Sequence, residues 1–138
     1  MAHRPLHAPL LAVLALFALT AASCTPRVEA SSEPFTAERF ESLQKQDALI
    51  LVDVAAPWCG TCVIQSEILA AYQAERPDAP LHVLRVDYDS QKDVLAALRA
   101  PAQSTLILFR GERELWRSVG EIDRTVIAAA LDQGVSSL

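Results

Sequence analysis

Leu49-Ile50-Leu51-Val52-Asp53-Val54, then Ala55-Ala56-Pro57, then Trp58-Cys59-Gly60-Thr61-Cys62, is the stretch on which the architecture turns. Its first part is apolar except for Asp53. A nearly continuous apolar run of this length is expected of a strand buried on both faces. A helix is expected from about Cys59 to Glu75, with Ile64, Ile68, Leu69 and Tyr72 at helical spacing. Arg76-Pro77-Asp78-Ala79-Pro80 ends it, because proline cannot continue a helix and biases the preceding residue against one.

Working outward, the alternation of strand and helix continues. Upstream, Thr36 can cap a helix through about Gln46 that sets Phe40 and Leu43 on one face. Downstream, Leu81 to Val86 reads as a strand, and Val94, Leu95 and Leu98 mark a short helix before Pro101. Thr105 to Phe109 is a strand, Arg110-Gly111-Glu112 a turn, and Glu114 to Val119 the hairpin partner. Asp123 is expected to cap a last helix carrying Val126, Ile127 and Leu131, with Gly134 closing it. This order predicts an α/β fold with a central mixed β-sheet flanked by helices on both faces. The 138 residues leave room for one such domain and a short leader, and no internal repeat is present.

The chemistry concentrates in Cys59 and Cys62. Two cysteines three apart at a helix start share a face, with Cα atoms roughly 5–6 Å apart, inside the range of a disulfide. The first sits where unpaired backbone N–H groups and the helix dipole favour a thiolate, the species that attacks disulfides. Cys59 is therefore the candidate nucleophile. Cys62, one turn in, is the candidate resolving thiol. Two blander readings compete. Zinc needs two or more further ligands, and past the leader only Cys24 and His82 are on offer, at distant positions. A purely stabilising disulfide closing so small a loop constrains the unfolded chain very little.

Asp53 is the second informative residue. Burial in the middle of a strand raises a carboxylate's pKa toward neutrality, which suits a group that accepts the proton of Cys62. The alternative is an aspartate satisfied by backbone N–H groups or reaching a strand end. Trp58 is expected to pack beside the cysteines as part of a substrate surface with Gly60 and Thr61, or else to be an ordinary aromatic at a helix entrance. His82 and Trp116 read as packing residues.

The strand, its acid and the segment Ala56-Pro57-Trp58-Cys59-Gly60-Thr61-Cys62 resemble the thioredoxin family. Asp87 and Asp89 at the next strand's end, Ser104 to Phe109, and Val119-Gly120 continue the resemblance, which runs from about Phe35 to Gly134. It implies a thioredoxin fold over residues 34–138 and a protein-disulfide oxidoreductase whose couple is the Cys59–Cys62 pair, with no cofactor and no metal. It also places the family's buried acid at Asp53. Arg85 falls where the family carries a lysine near that acid, although a solvent-facing strand residue accounts for it too.

The chain departs from the family opposite the cysteines. Thioredoxins have a cis-proline there, and this chain has Ser104. A cis peptide before a non-proline residue costs about 2.5–4 kcal/mol, so a trans Gln103–Ser104 bond is expected. The resemblance implies that the backbone at Gln103 and Ser104 meets bound substrate, and that this loop keeps metal from the thiolates. A thiolate-based metal chaperone or sensor is accordingly the alternative function, weakened by the lack of a nearby third ligand. Val63 replaces the lysine that commonly follows the second cysteine, and Glu67 a helix-kinking proline.

The N-terminus reads as an export signal. Arg4 precedes an uncharged apolar run from Leu10 to Ala22, shorter than the about 20 residues of a membrane span and suited to a signal-peptide core. Leu19-Thr20-Ala21-Ala22-Ser23-Cys24 resembles the bacterial lipoprotein signal, except that Ala21 stands where leucine is usual. The expected organisation is a signal peptide over 1–23, lipidation at Cys24 and a polar tether over 24–33. Ordinary cleavage near Ala22 or Ser23 is the alternative, but it would leave an unpaired thiol in an oxidising compartment. Cleavage before Cys24 changes the net charge from −5 to −6. That acidity argues against nucleic-acid binding, which needs a lysine and arginine surplus. The expected setting is the bacterial periplasm and cell envelope. Protein thiols and disulfides are the expected partners there, with a membrane electron donor and lipid anchorage through Cys24.

Overall fold

The computed structural model describes residues 30–137; the leader and Cys24 lie outside the described residues. The elements in chain order are β1 (Glu33–Pro34), α1 (Ala37–Lys45), β2 (Leu49–Ala55), α2 (Gly60–Glu75) and β3 (Leu81–Asp87), then α3 (Lys92–Ala97), β4 (Thr105–Arg110), β5 (Arg113–Val119) and α4 (Arg124–Ser136). They build a five-stranded sheet in the order β1-β3-β2-β4-β5. β3 runs parallel to both β1 and β2, whereas β4 is antiparallel to β2 and to β5. This is the mixed sheet expected, with β2 at its centre and every one of its residues buried.

Side-chain alternation along β2 divides the core in two. Ile50, Val52 and Val54 meet Leu43 of α1 and Leu95 of α3 on one face. Leu49 and Leu51 meet Leu69 and Tyr72 of α2 and Ile127 and Leu131 of α4 on the other. Asp53, in step with Leu49 and Leu51, belongs to the face that α2 and α4 cover. Truncating a fully buried leucine such as Leu51 is expected to cost about 2–5 kcal/mol.

The helix starts are as read. Thr36 Oγ1 accepts from Arg39 N at 3.1 Å, and Asp123 accepts from Thr125 N and Val126 N. Three details differ. Gly134 does not close the last helix, which continues to Ser136. It is a contact residue instead, since a Cβ there would stand 2.8 Å from Leu49 Cδ1 and 3.0 Å from Leu108 Cδ2. Ile64 is exposed, and the buried stripe of α2 runs through Cys62, Gln65, Ser66, Leu69 and Tyr72. Glu33, read as the end of the tether, pairs with Leu84 of β3 in a strand too short to show as a pattern.

Candidate active site

β2 ends at Ala55, and Ala56-Pro57-Trp58 carries the chain to Cys59, the N-cap of α2. A cysteine can cap a helix because its sulfur can accept an otherwise unpaired N–H. Cys62 N donates to Cys59 Sγ at 3.1 Å. The two cysteines form a disulfide with Cα atoms 5.3 Å apart. Both are buried among Ala55, Ala56 and Tyr88. Trp58 beside them is 62% exposed, held by a hydrogen bond from Nε1 to Asp89 Oδ2 at 2.9 Å and an edge-on contact with Tyr88. Gly60 is exposed with open space around it, and Thr61 is half-buried.

Asp53 is buried as expected, at 2% exposure. Desolvation pushes its pKa from 3.8 up to about 6, against a smaller opposing pull from Arg85. The register pairs Asp53 with Arg85 across β2 and β3, and Arg85 Nη1 lies 3.9 Å from Asp53 Oδ2. Arg85 therefore faces solvent with part of its side chain while turning its charge toward the acid. The other carboxylate oxygen, Oδ1, has no hydrogen-bond partner among the described residues. An acid in this state is ionised at neutral pH and ready to take a proton.

Ser104 is buried and no peptide bond among the described residues is cis. It adopts φ +60. In that conformation its N–H donates to Val54 O at 2.8 Å, and its hydroxyl lies 3.1 Å from Cys59 Sγ and 3.3 Å from Cys62 Sγ. Gln103 before it is half-buried. The structure thus gathers Cys59, Cys62 and Ser104 at one end of the sheet with Trp58 beside them, while Asp53 lies buried within β2 and has Arg85 as its charged neighbour.

Sequence reasoning missed Gln65, which is fully buried. Its Nε2 donates to Ser104 O at 3.2 Å and to Glu121 O at 2.9 Å, tying α2 to the loops before β4 and after β5. Its position three residues after Cys62 put it on the cysteine's face of the helix, the one signal that could have found it. Asp89, read only as the end of a strand, proves to hold Trp58. Among the described residues, no three His, Cys, Asp or Glu side chains gather where they could hold a metal ion.

The thioredoxin family model matches residues 31–133. Thioredoxin-1 of Saccharomyces cerevisiae is 33% identical over 85 residues, covering 62% of this chain and 81% of that protein. Thioredoxin of Chlamydia trachomatis is 38% identical over 76 residues, covering 55% of this chain and 72% of its own. Among solved structures, Trxlp from Edwardsiella tarda superposes with a TM-score of 0.69 at 38% identity, covering 73% of this chain and 98% of that one. With a fold, a cysteine pair and relatives that agree, the chain belongs to the thioredoxin family and is a thioredoxin-like disulfide oxidoreductase.

Proposed function

We propose that the protein works in the bacterial cell envelope, exchanging or reducing disulfides of exported proteins, with Cys59 as nucleophile, Cys62 as resolving thiol and Asp53 as proton acceptor. The observation that carries the division of labour is the place of Cys59 at the N-cap of α2, where its sulfur already receives the N–H of Cys62 at 3.1 Å. In the reducing direction the Cys59 thiolate attacks one sulfur of a substrate disulfide. A Cys59–substrate bond forms, the substrate S–S bond breaks, and the departing thiolate takes a proton from water. Cys62 then gives its proton toward Asp53 and attacks Cys59 Sγ. The Cys59–Cys62 bond forms and the substrate's second sulfur leaves with the electron pair. Two electrons have passed from the cysteine pair to the substrate.

Exposed Trp58 and Gly60, with half-buried Thr61 and Gln103, offer the surface on which the substrate segment rests, whereas Ser104 lies beneath it with its backbone N–H and carbonyl already bonded within the protein. The apolar leader and Cys24 support export and lipid anchorage. No helix among the described residues is long and apolar enough to cross a membrane.

The test is trapping in cells. Cys62→Ser should hold partner proteins on Cys59 as mixed disulfides that reductant releases, and Cys59→Ser should hold few or none. Equal trapping by the two variants would remove the assignment of nucleophile and resolver. Enrichment of cytoplasmic rather than exported partners would remove the envelope assignment.

A further inference from the structure

The Ser104 hydroxyl is in contact with both reacting sulfurs, at 3.1 Å from Cys59 Sγ and 3.3 Å from Cys62 Sγ. A disulfide sulfur carries no proton, so the hydroxyl is the donor, and its single proton can serve only one of the two sulfurs at a time. It is a built arrangement. Ser104 is 4% exposed, which leaves bulk water little access. Its backbone is held by Val54 O on its N–H, and by Gly120 N and the Gln65 amide on its carbonyl. Its φ of +60 is a conformation that non-glycine residues seldom adopt. Gln65, one turn along α2 from Cys62, is fully buried and spends its amide on holding this loop.

We propose that Ser104 is a catalytic hydrogen-bond donor that serves the two sulfurs in turn, stabilising first the Cys59 thiolate and then the Cys62 thiolate, with Gln65 as its positioning residue. The proposal rests on the disulfide-exchange reading above. In the reduced enzyme the negative charge is on Cys59, and the hydroxyl proton points there. The hydroxyl oxygen meanwhile accepts the S–H of Cys62, which keeps the resolving thiol protonated until it is needed. Once Cys59 is bound in a mixed disulfide its sulfur is neutral. The hydroxyl then turns to Cys62 as that thiol gives its proton toward Asp53. The serine proton never leaves its oxygen, so the electron and proton count of the exchange is unchanged. A proline at this position could do none of this, having neither hydroxyl nor N–H.

The test compares Ser104→Ala, Ser104→Gly and Gln65→Leu with wild type in the full chain. Reduced proteins are alkylated with iodoacetamide across pH, and peptide mass spectrometry separates Cys59 from Cys24 and Cys62. A hydrogen bond to an ionised group favours the charged form, and its loss should raise the Cys59 pKa by about one pH unit, roughly tenfold less thiolate below that pKa. Ser104→Ala and Ser104→Gly should show the same rise although their stabilities differ, because glycine suits φ +60 and alanine does not. An unchanged pKa in Ser104→Gly would overturn the donor role. Gln65→Leu should move the pKa in the same direction by less, and should add nothing in the Ser104→Gly background. A full additive effect there would overturn the positioning role. The alkylation readout needs no turnover. A wild type that exchanges no disulfide would therefore defeat the proposed function and leave the comparison of variants to decide the serine by itself.

Discussion

Replacing Asp53 with asparagine removes one ionisable group from the centre of β2 while keeping its shape. Burial raises the folded-state pKa of Asp53 from 3.8 to about 6. Below the lower value the carboxyl is protonated in both folded and unfolded chains, and wild type and variant differ only by a constant packing offset. Between the two values the unfolded chain loses this proton and the folded chain keeps it, so wild-type stability falls as pH rises. Above the higher value the loss is complete. At about 1.36 kcal/mol per pH unit, the rise from 3.8 to about 6 amounts to about 3 kcal/mol. The residue is 2% exposed, so little of this is screened by solvent. Urea unfolding of the oxidised proteins, followed by tryptophan fluorescence from pH 3 to pH 8, reads the difference directly. Asp53→Asn should gain about 3 kcal/mol on wild type across that range, whatever its offset at pH 3. The other carboxylates cancel in the comparison. Stability curves that stay parallel would refute the claim that burial raises the pKa of this acid, and with it the physical basis for its role as proton acceptor.

Gly134→Ala should destabilise the fold by about 1–3 kcal/mol, because the new methyl meets Leu49 and Leu108 at 2.8 and 3.0 Å and overpacks the core. A denaturation midpoint at or above that of wild type would show that the leucines yield and helix propensity prevails. Cys24→Ala should abolish incorporation of labelled fatty acid and leave the chain unprocessed or released. Equal labelling of variant and wild type would end the lipoprotein assignment.

What could be read from sequence followed from local physics. A carboxylate inside an apolar strand is costly wherever it occurs, so Asp53 was visible as a functional candidate. A cysteine pair at a helix start has a meaning set by helix geometry, so Cys59 and Cys62 were visible as well. The remainder depended on distant parts of the chain. Gly134 resembles a helix terminator until the packing of α4 on β2 and β4 is known. Gln65 resembles a surface residue until the carbonyls of Ser104 and Glu121 are brought to it from 39 and 56 residues away. Arg85 satisfied two readings together, since a long side chain can keep its stem in solvent and still turn its charge toward a cross-strand acid.

Ser104 and Gln65 also explain how this site holds its loop without the family's proline. Proline restricts its own φ, and its ring contributes no hydrogen bond. Without it the backbone conformation at this point must be held from outside. Three hydrogen bonds to the Ser104 backbone do so, from Val54, Gly120 and Gln65. Two of these bonds are main-chain to main-chain and independent of side-chain identity. The third requires a buried amide in α2, where an apolar residue would otherwise complete the core. Burying that amide is unfavourable unless its hydrogen bonds are made. Its Nε2 makes two of them, while Oε1 has no partner among the described residues. The unpartnered Oε1 is a cost of burial that an apolar side chain would not carry, and the two bonds that Nε2 makes to the loop carbonyls are what offset it.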